Sequence, residues 1–194
     1  MNTHKLVLAS GSRYRRELLA RLGLPFESCS PDIDERALPG EAPRQTAARL
    51  AQAKARAAAS QRPDSLIIGC DQVADIGGLP IGKPGSLDNA RAQLRRLSGR
   101  EVLFHTAVCL LHAPTGRIHE ETVTTDVRFR ELSGPEIESY LARENALDCA
   151  GSAKSEGLGI ALIEHLGGGD PTALVGLPLI ALSRMLRAEG LSVP

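Results

Sequence analysis

The first residues suited to chemistry form a run of small polar residues followed by arginines, Ser10-Gly11-Ser12-Arg13-Tyr14-Arg15-Arg16. A strand that ends in small residues and leads into a helix offers free backbone N–H groups and a positive dipole end, which together bind anions. Arginines in a first helical turn do not suit the helix itself, because that end prefers acidic side chains. They suit a bound anion such as a phosphate. A solvated basic helix face with Ser12 as N-cap explains the local pattern equally well.

A second candidate position is Asp71-Gln72, directly after the apolar run 66–70. A short apolar run of this kind predicts a buried strand that ends at Asp71. Ligands of open α/β folds bind at the carboxyl ends of strands, where an aspartate can hold Mg²⁺ or activate a water molecule. An aspartate that caps a turn is the alternative. The fixed position that a buried strand provides favours the functional interpretation.

Three further charged residues, Glu35, Lys54 and Lys83, extend this chemistry. Glu35 would add a second carboxylate to a metal site, and the two lysines would neutralise phosphate oxygens. Each taken singly is a typical surface charge. A functional interpretation is favoured only when the three residues are considered together.

The bulk composition excludes several classes of function. Lys plus Arg equals Asp plus Glu at 23 each, so the basic excess of a protein that binds nucleic acid polymers is missing. The chain has no P-loop motif, no apolar run of membrane-span length and no signal-peptide pattern, which predicts a cytoplasmic protein that does not bind membranes. The cysteines have no zinc-ligand spacing, and we expect buried free thiols at Cys29, Cys70, Cys109 and Cys149.

The elements that must position these residues can be predicted from periodicity, caps and turn residues. Strands are predicted at 5–9, 25–29, 66–70, 102–111 and 117–130, and helices from 13 to about 24, at 43–61, at 87–97, from the Ser133–Glu136 capping box to about 143, and from Pro178 to about 188. Residues 31–41 and 149–160 are predicted to be loops, and Gly77-Gly78 and Gly82-Lys83-Pro84 to be turns. Strands that alternate with helices before a hairpin predict an α/β protein with a mixed sheet.

Six blocks of the chain, taken in order, resemble the Maf family: residues 8–19, 32–35, 51–55, 68–72, 82–84 and 175–179. The similarity covers nearly the whole chain, and six ordered blocks are much more specific than any one of them. The resemblance implies one domain over residues 1–194, related to the inosine triphosphate pyrophosphatases. Such a domain has a curved mixed β-sheet with flanking helices in two lobes around a cleft.

The resemblance also implies an activity, the hydrolysis of a nucleoside triphosphate between its α and β phosphates with a divalent metal cation, Mg²⁺ or Mn²⁺. A homodimer is the implied assembly. Carried over by position, Asp71 is the catalytic acid or base, and Glu35 binds the metal with it. The residues that hold the substrate phosphates are Ser10, Arg15, Lys54 and Lys83, with Arg16 as a weaker candidate.

Asp71-Gln72 and the stretch 149–157 resemble the branch of the family that acts on 7-methyl-GTP. The branch that acts on dTTP and UTP shows Asp-Thr and Ala-Tyr-Gly-Ile-Gln instead, and neither occurs here. The cationic base would contact the ring of Tyr14, which stands where this branch has tryptophan, just after Arg13 in place of a proline. The carboxylate of Glu156 would accept hydrogen bonds from the base, and Gln72 would add an amide. A dTTP/UTP pyrophosphatase and a nucleotide-binding regulator of septum formation without turnover are the alternatives.

Overall fold

The computed structural model describes residues 5–193, which form seven strands and five α-helices. The strands are β1 Lys5–Ala9, β2 Phe26–Cys29, β3 Ser65–Ile76, β4 Leu79–Ile81, β5 Glu101–His112, β6 Arg117–Phe129 and β7 Ile163–Gly167. The helices are α1 Arg13–Ala20, α2 Pro43–Ala59, α3 Leu87–Leu97, α4 Gly134–Leu141 and α5 Leu179–Ala188. Within these described residues, no helix has the length and hydropathy that a membrane span needs.

The strands form one mixed sheet, as predicted, in the order β2-β1-β3-β5-β6-β7 with β4 also beside β3. β1 runs parallel to β2 and β3, whereas the remaining neighbours are antiparallel. The α/β class and the mixed sheet are therefore confirmed. They agree with the fold that the family resemblance implies.

Several local signals in the sequence act as predicted. The Ser12 side chain caps α1, and the capping box of Ser133 and Glu136 opens α4. The turn between β3 and β4 places Gly77 and Gly78 at φ of 61° and 86°, where residues with a side chain are disfavoured. Pro178 is the N-cap of α5.

The predicted end of the third strand is wrong, because β3 continues through Asp71 and Gln72 to Ile76. Its parallel pairing with β1 stops at Gly69, but its antiparallel pairing with β5 continues to Asp75. A second neighbour therefore keeps the backbone extended beyond the apolar run, and Asp71 lies inside a strand.

Other segments also differ from the sequence-based expectations. The short strand β4 and the edge strand β7 were not predicted, and α1 ends at Ala20, before the predicted end near residue 24. Short 3₁₀ turns at Ala150–Ser152 and Leu158–Leu162 interrupt the predicted loop 149–160. All four cysteines are free as expected, but only Cys70 and Cys109 are buried, whereas Cys29 and Cys149 are half-buried.

Helices cover both faces of the sheet. Helix α2 packs on one face through a row of small side chains, Ala47, Ala51, Ala55 and Ala58. The other face carries two apolar clusters, one around α1 and α5 and one around α3 and α4. Strand β3 contributes to both clusters, with Leu66, Ile68 and Cys70 in the first and Ala74 and Ile76 in the second.

Candidate active site

A cavity of about 800 Å³ opens at one edge of β3. The pairing of β3 with β1 ends at Gly69, and its pairing with β4 begins at Ala74. Asp71, Gln72 and Val73, from the stretch in between, line the cavity. Its volume lies within the range of roughly 300–1,000 Å³ that is usual for small-molecule sites.

All but one of the site residues that were predicted from the sequence line this cavity. Its lining includes Ser10, Tyr14, Arg15, Glu35, Lys54, Asp71, Gln72, Lys83 and Glu156. Arg16 does not belong to the lining, and its side chain is exposed. Successive residues of an α-helix point about 100° apart, so the neighbour of an inward-facing Arg15 turns away from the cavity.

Lys54 joins the two carboxylates that the sequence analysis proposed as metal ligands. Its Nζ donates to Asp71 Oδ1 at 2.6 Å and forms an ion pair with Glu35 Oε1 at 2.8 Å. The side chains of Lys54 and Asp71 are only 9% and 10% exposed, whereas that of Glu35 is 60% exposed. Since buried charges persist only when they are paired, this contact explains how α2 and β3 keep both groups in the protein interior.

The electrostatics of Glu35 show that positive charge converges on this cluster. Partial burial acts to raise the pKa of Glu35, but the hydrogen bond and the charge of Lys54 lower it, with further lowering from Lys83 and Arg15. The net pKa lies below the ordinary value, so Glu35 is a carboxylate at neutral pH. Three cationic side chains from different parts of the chain, those of Arg15, Lys54 and Lys83, thus lower the pKa of this one carboxyl group.

Glu35 and Asp71 offer the hard oxygen donors that Mg²⁺ and Mn²⁺ prefer. Among residues 5–193, no group of three or more His, Cys, Asp or Glu side chains forms a closed metal cage. Mg²⁺ is commonly held by one or two carboxylates, with substrate phosphates and water as its other ligands. This donor set therefore fits a cation that binds together with a phosphorylated substrate.

Hydrogen bonds from two nitrogens of its guanidinium group hold the Arg15 side chain in place. Nε donates to the Gly176 carbonyl oxygen at 2.9 Å, and Nη1 donates to Ser10 Oγ at 3.3 Å. Ser10 Oγ also accepts from the backbone N–H of Ser12 at 3.2 Å. The loop between β1 and α1 and its arginine are thereby ordered before any anion binds.

Tyr14 bridges the start of α1 and the segment after α4. Arg13 Nη2 donates to the Tyr14 hydroxyl at 2.7 Å, and this hydroxyl donates to Asp148 Oδ1 at 3.2 Å. The Arg13 guanidinium and the Lys154 ammonium lie 4.7 Å and 5.8 Å from the ring centre, within cation–π range. Burial raises the pKa of Tyr14 to about 12, although the hydrogen bond from Arg13 opposes this change.

The arginine at position 13 thus binds the hydroxyl of Tyr14, a group that a tryptophan at position 14 would not have. Asp148 and Lys154 are neighbours of Tyr14 that were not proposed as site residues, and of the two only Asp148 lines the cavity. Asp148 lies 134 positions from Tyr14 along the chain, so no local signal predicts their contact.

Gln72 and Glu156 lie at different depths in the cavity wall. The amide nitrogen of the half-buried Gln72 donates to Thr106 Oγ1 at 2.9 Å and to the carbonyl oxygens of Ala173 and Leu174 at 3.0 Å. Glu156 is exposed. Gln72 is thus anchored to the protein, while Glu156 lies where it can meet a ligand from solvent.

Known proteins resemble this chain over nearly its whole length. A family model described as "Maf-like protein" matches residues 5–189. A protein of Aromatoleum aromaticum is 60% identical over 194 residues, with 100% of both chains covered. Proteins of Methylobacillus flagellatus and Xanthomonas campestris pv. campestris are 57% and 56% identical, over 97% and 98% of this chain and 98% of each relative. All three relatives carry the name 7-methyl-GTP pyrophosphatase.

Proposed function

This chain belongs to the Maf family, and from that membership we propose that it hydrolyses 7-methyl-GTP to 7-methyl-GMP and pyrophosphate. The names of relatives that share more than half of its residues support the substrate. The observation that carries the chemistry is the buried Asp71 carboxylate, held by Lys54 in a cavity that Arg15 and Lys83 also line. Such a site combines a base with concentrated positive charge.

Phosphoryl chemistry depends on positioning and on charge neutralisation more than on an elaborate nucleophile. A water molecule attacks phosphorus at the anhydride that links the α and β phosphates, the bond to the bridging oxygen breaks, and the monophosphate and pyrophosphate separate. Asp71 takes the proton that this water loses, and its contact with Lys54 keeps the carboxylate oriented. Arg15, Lys54 and Lys83 bind the phosphate oxygens.

In this proposal Glu35 and Asp71 also hold a divalent cation, Mg²⁺ or Mn²⁺. When bound, the cation neutralises phosphate charge and polarises the phosphorus–oxygen bonds. The ion pair with Lys54 keeps both carboxylates at one place, so the protein presents them as a pair.

Tyr14, Gln72 and Glu156 select the base. The positively charged 7-methylguanine ring contacts the aromatic ring of Tyr14, and Glu156 accepts hydrogen bonds from its N1–H and amino group. The amide nitrogen of Gln72 already donates hydrogen bonds to Thr106 and to the Ala173 and Leu174 carbonyl groups. The amide oxygen of Gln72 is therefore the atom that can accept hydrogen bonds from the donors of guanine.

Pyrophosphate release from 7-methyl-GTP, GTP, dTTP and UTP, each with Mg²⁺, Mn²⁺ or a chelator, tests this function. We expect wild-type turnover to be highest with 7-methyl-GTP and to require the metal. A higher rate on dTTP and UTP would instead support the second substrate class of the family. Tight nucleotide binding with no pyrophosphate from any substrate would support a regulator.

Asp71→Ala and Asp71→Asn test the assignment of the base in the same assay. We expect both to reduce kcat by about 10²–10⁴-fold, the usual contribution of general acid–base catalysis. Asp71→Asn keeps an oxygen that Lys54 can still bind, so its fold should survive. The matched control is Asp88→Asn, an exposed aspartate on α3 that pairs with Arg91 and does not line the cavity. Near-normal turnover by Asp71→Asn would show that another group is the base.

A further inference from the structure

The segment 170–178, here called the α5-entry loop, forms one wall of the cavity through Leu174, Val175 and Gly176. Its own hydrogen bonds attach it to the start of α5, where the side chain of Asp170 accepts from the backbone N–H groups of Thr172 and Ile180. The part that meets the cavity is held by other elements. Arg15 and Cys70 both donate to the carbonyl oxygen of Gly176, at 2.9 Å and 3.0 Å.

Gln72 and Thr106 hold the adjacent part of this loop. They are direct cross-strand neighbours on β3 and β5, so their side chains leave the same face of the sheet. Thr106 Oγ1 donates to the Ala173 carbonyl oxygen at 2.9 Å and accepts from the amide nitrogen of Gln72 at 2.9 Å. The same nitrogen also donates to Ala173 and Leu174. One hydroxyl and one amide thus bind two consecutive carbonyl groups.

The two side chains differ in their access to a ligand. Gln72 lines the cavity, whereas Thr106 has 0% exposure and lies outside the lining. Any effect of Thr106 on a ligand must therefore pass through Gln72 and the α5-entry loop.

We propose that Thr106 is a positioning residue for base selection, which fixes the Gln72 amide and the cavity wall at Leu174 and Val175 in one arrangement. The proposal rests on the proposed function and deepens it. Gln72 then acts on specificity largely through the shape of this wall, with its amide oxygen as the only atom offered directly to the base. If the segment with Leu174 and Val175 could move, the cavity would accept 7-methylguanine and guanine alike. Held in one arrangement, the same segment discriminates between the two bases.

Thr106→Val tests the proposal, because valine keeps the shape of threonine and removes only the hydroxyl. We expect the ratio of kcat/KM for 7-methyl-GTP over GTP to fall by about fivefold or more, because the variant loses both hydrogen bonds of the hydroxyl and each contributes about 1 kcal/mol. The change should lie mainly in KM for 7-methyl-GTP, with GTP turnover altered less than about twofold. Thr106→Ser, which keeps the hydroxyl, should restore the ratio.

Gln72→Met and the double variant separate direct contact from positioning. If both residues act through the same wall, the double variant should lose no more selectivity than the larger single loss. The matched control is Thr125→Val, since Thr125 is a β6 threonine with 3% exposure, outside the cavity lining, and its hydroxyl has no hydrogen-bond partner among residues 5–193. We expect this control to leave the selectivity unchanged.

Two further measurements test the role of Thr106 without relying on catalytic turnover. The ratio of dissociation constants for 7-methyl-GTP and GTP, titrated in chelator, should change as the kcat/KM ratio does. Hydrogen exchange of amides in the α5-entry loop should become faster in Thr106→Val and not in Thr125→Val. A wild-type protein that hydrolyses none of the nucleotides refutes the proposed function, whereas wild-type selectivity retained by Thr106→Val in both ratios refutes the role of Thr106.

Discussion

Lys54 is the residue on which the candidate site depends most, because it is buried and contacts both carboxylates of the cluster. Removing one partner of a buried ion pair leaves an uncompensated charge and typically costs about 3–5 kcal/mol. A variant at Lys54 would therefore change stability and activity together. Substitutions at Tyr14 and Glu156 separate these effects better, because neither side chain belongs to this buried ion pair. Asp71 is the other partner of the pair, so Asp71→Asn, which keeps an oxygen for Lys54, is its most informative variant.

Tyr14 has a ring and a hydroxyl with separable roles. Tyr14→Phe keeps the ring and loses the contacts with Arg13 and Asp148, and we expect it to retain the preference for 7-methyl-GTP within about threefold. Tyr14→Ala removes the aromatic face and should lose about tenfold in KM for 7-methyl-GTP, in line with cation–π energies of about 0.5–2 kcal/mol. Steady-state kinetics measures both. Equal losses in the two variants would assign the effect to the hydroxyl and not to the ring.

Glu156 should determine the choice of base and not the hydrolysis step. Glu156→Ala removes the carboxylate that complements the cationic base, so we expect the preference for 7-methyl-GTP over GTP to fall more than turnover of dTTP or UTP. The control is Glu164→Ala, an exposed glutamate on β7 that pairs with Arg128 and does not line the cavity. An unchanged ranking of the four nucleotides in Glu156→Ala would contradict this role.

At the scale of elements, the contact between α2 and β3 sets the geometry of the site. Helix α2 carries Lys54 and β3 carries Asp71, and the two elements are in close contact where Gly69 faces Ala51 and Ala55. A Cβ on Gly69 would lie 2.0 Å from the Ala51 carbonyl oxygen. The absence of a side chain at this position allows the helix to lie on the strand.

Gly69→Ala should therefore damage both stability and the site. The methyl group meets backbone atoms, which cannot rotate away, so we expect a loss of about 3 kcal/mol in the free energy of unfolding and a strong loss of turnover. Denaturant unfolding and the pyrophosphate assay measure the two effects. Gly169→Ala is the control, at an exposed position outside the cavity lining with nothing within 4 Å of the added Cβ and no left-handed φ, and it should be nearly neutral. A Gly69→Ala protein as stable as the wild type would show that α2 can shift freely.

At the scale of the molecule, one sheet connects two apolar clusters that would otherwise be separate. β5 contributes Val108 and Leu110 to the cluster around α1 and α5, and Val102 and Phe104 to the cluster around α3 and α4. Since β3 also spans both, neither cluster can lose its sheet residues without disturbing the other. The cavity lies at the edge of β3 where the strand passes from one cluster to the other.

We accordingly predict that the two apolar clusters unfold together, as one domain. Scanning calorimetry should show a single transition whose calorimetric and van 't Hoff enthalpies agree, which is the test of two-state unfolding. Nucleotide that binds in the cavity should raise the midpoint of this transition and keep it single. Two resolved transitions, with only one shifted by nucleotide, would show that the two clusters belong to separate folding units.

The amino-acid sequence by itself determined the features that depend on neighbouring residues. Helix caps at Ser12 and Ser133, the Gly77-Gly78 turn and the α/β class followed from local preferences. The catalytic and phosphate-binding candidates came from the sequence blocks that resemble the family, and all of them except Arg16 line one cavity. Their roles stay predictions until the variants are measured.

The tertiary structure alone decided the features that depend on distant residues. The continuation of β3 past Asp71 needs β5 as a neighbour, and the orientation of Arg15 needs Gly176, 161 positions away. The anchoring of Gln72 by Thr106 and Ala173 is of the same kind, with Ala173 101 positions from Gln72. Local propensity cannot encode such contacts, because they form only when packing of the apolar clusters brings the segments together. The same packing holds α2 against β3 and so places the ammonium of Lys54 beside the carboxylate of Asp71.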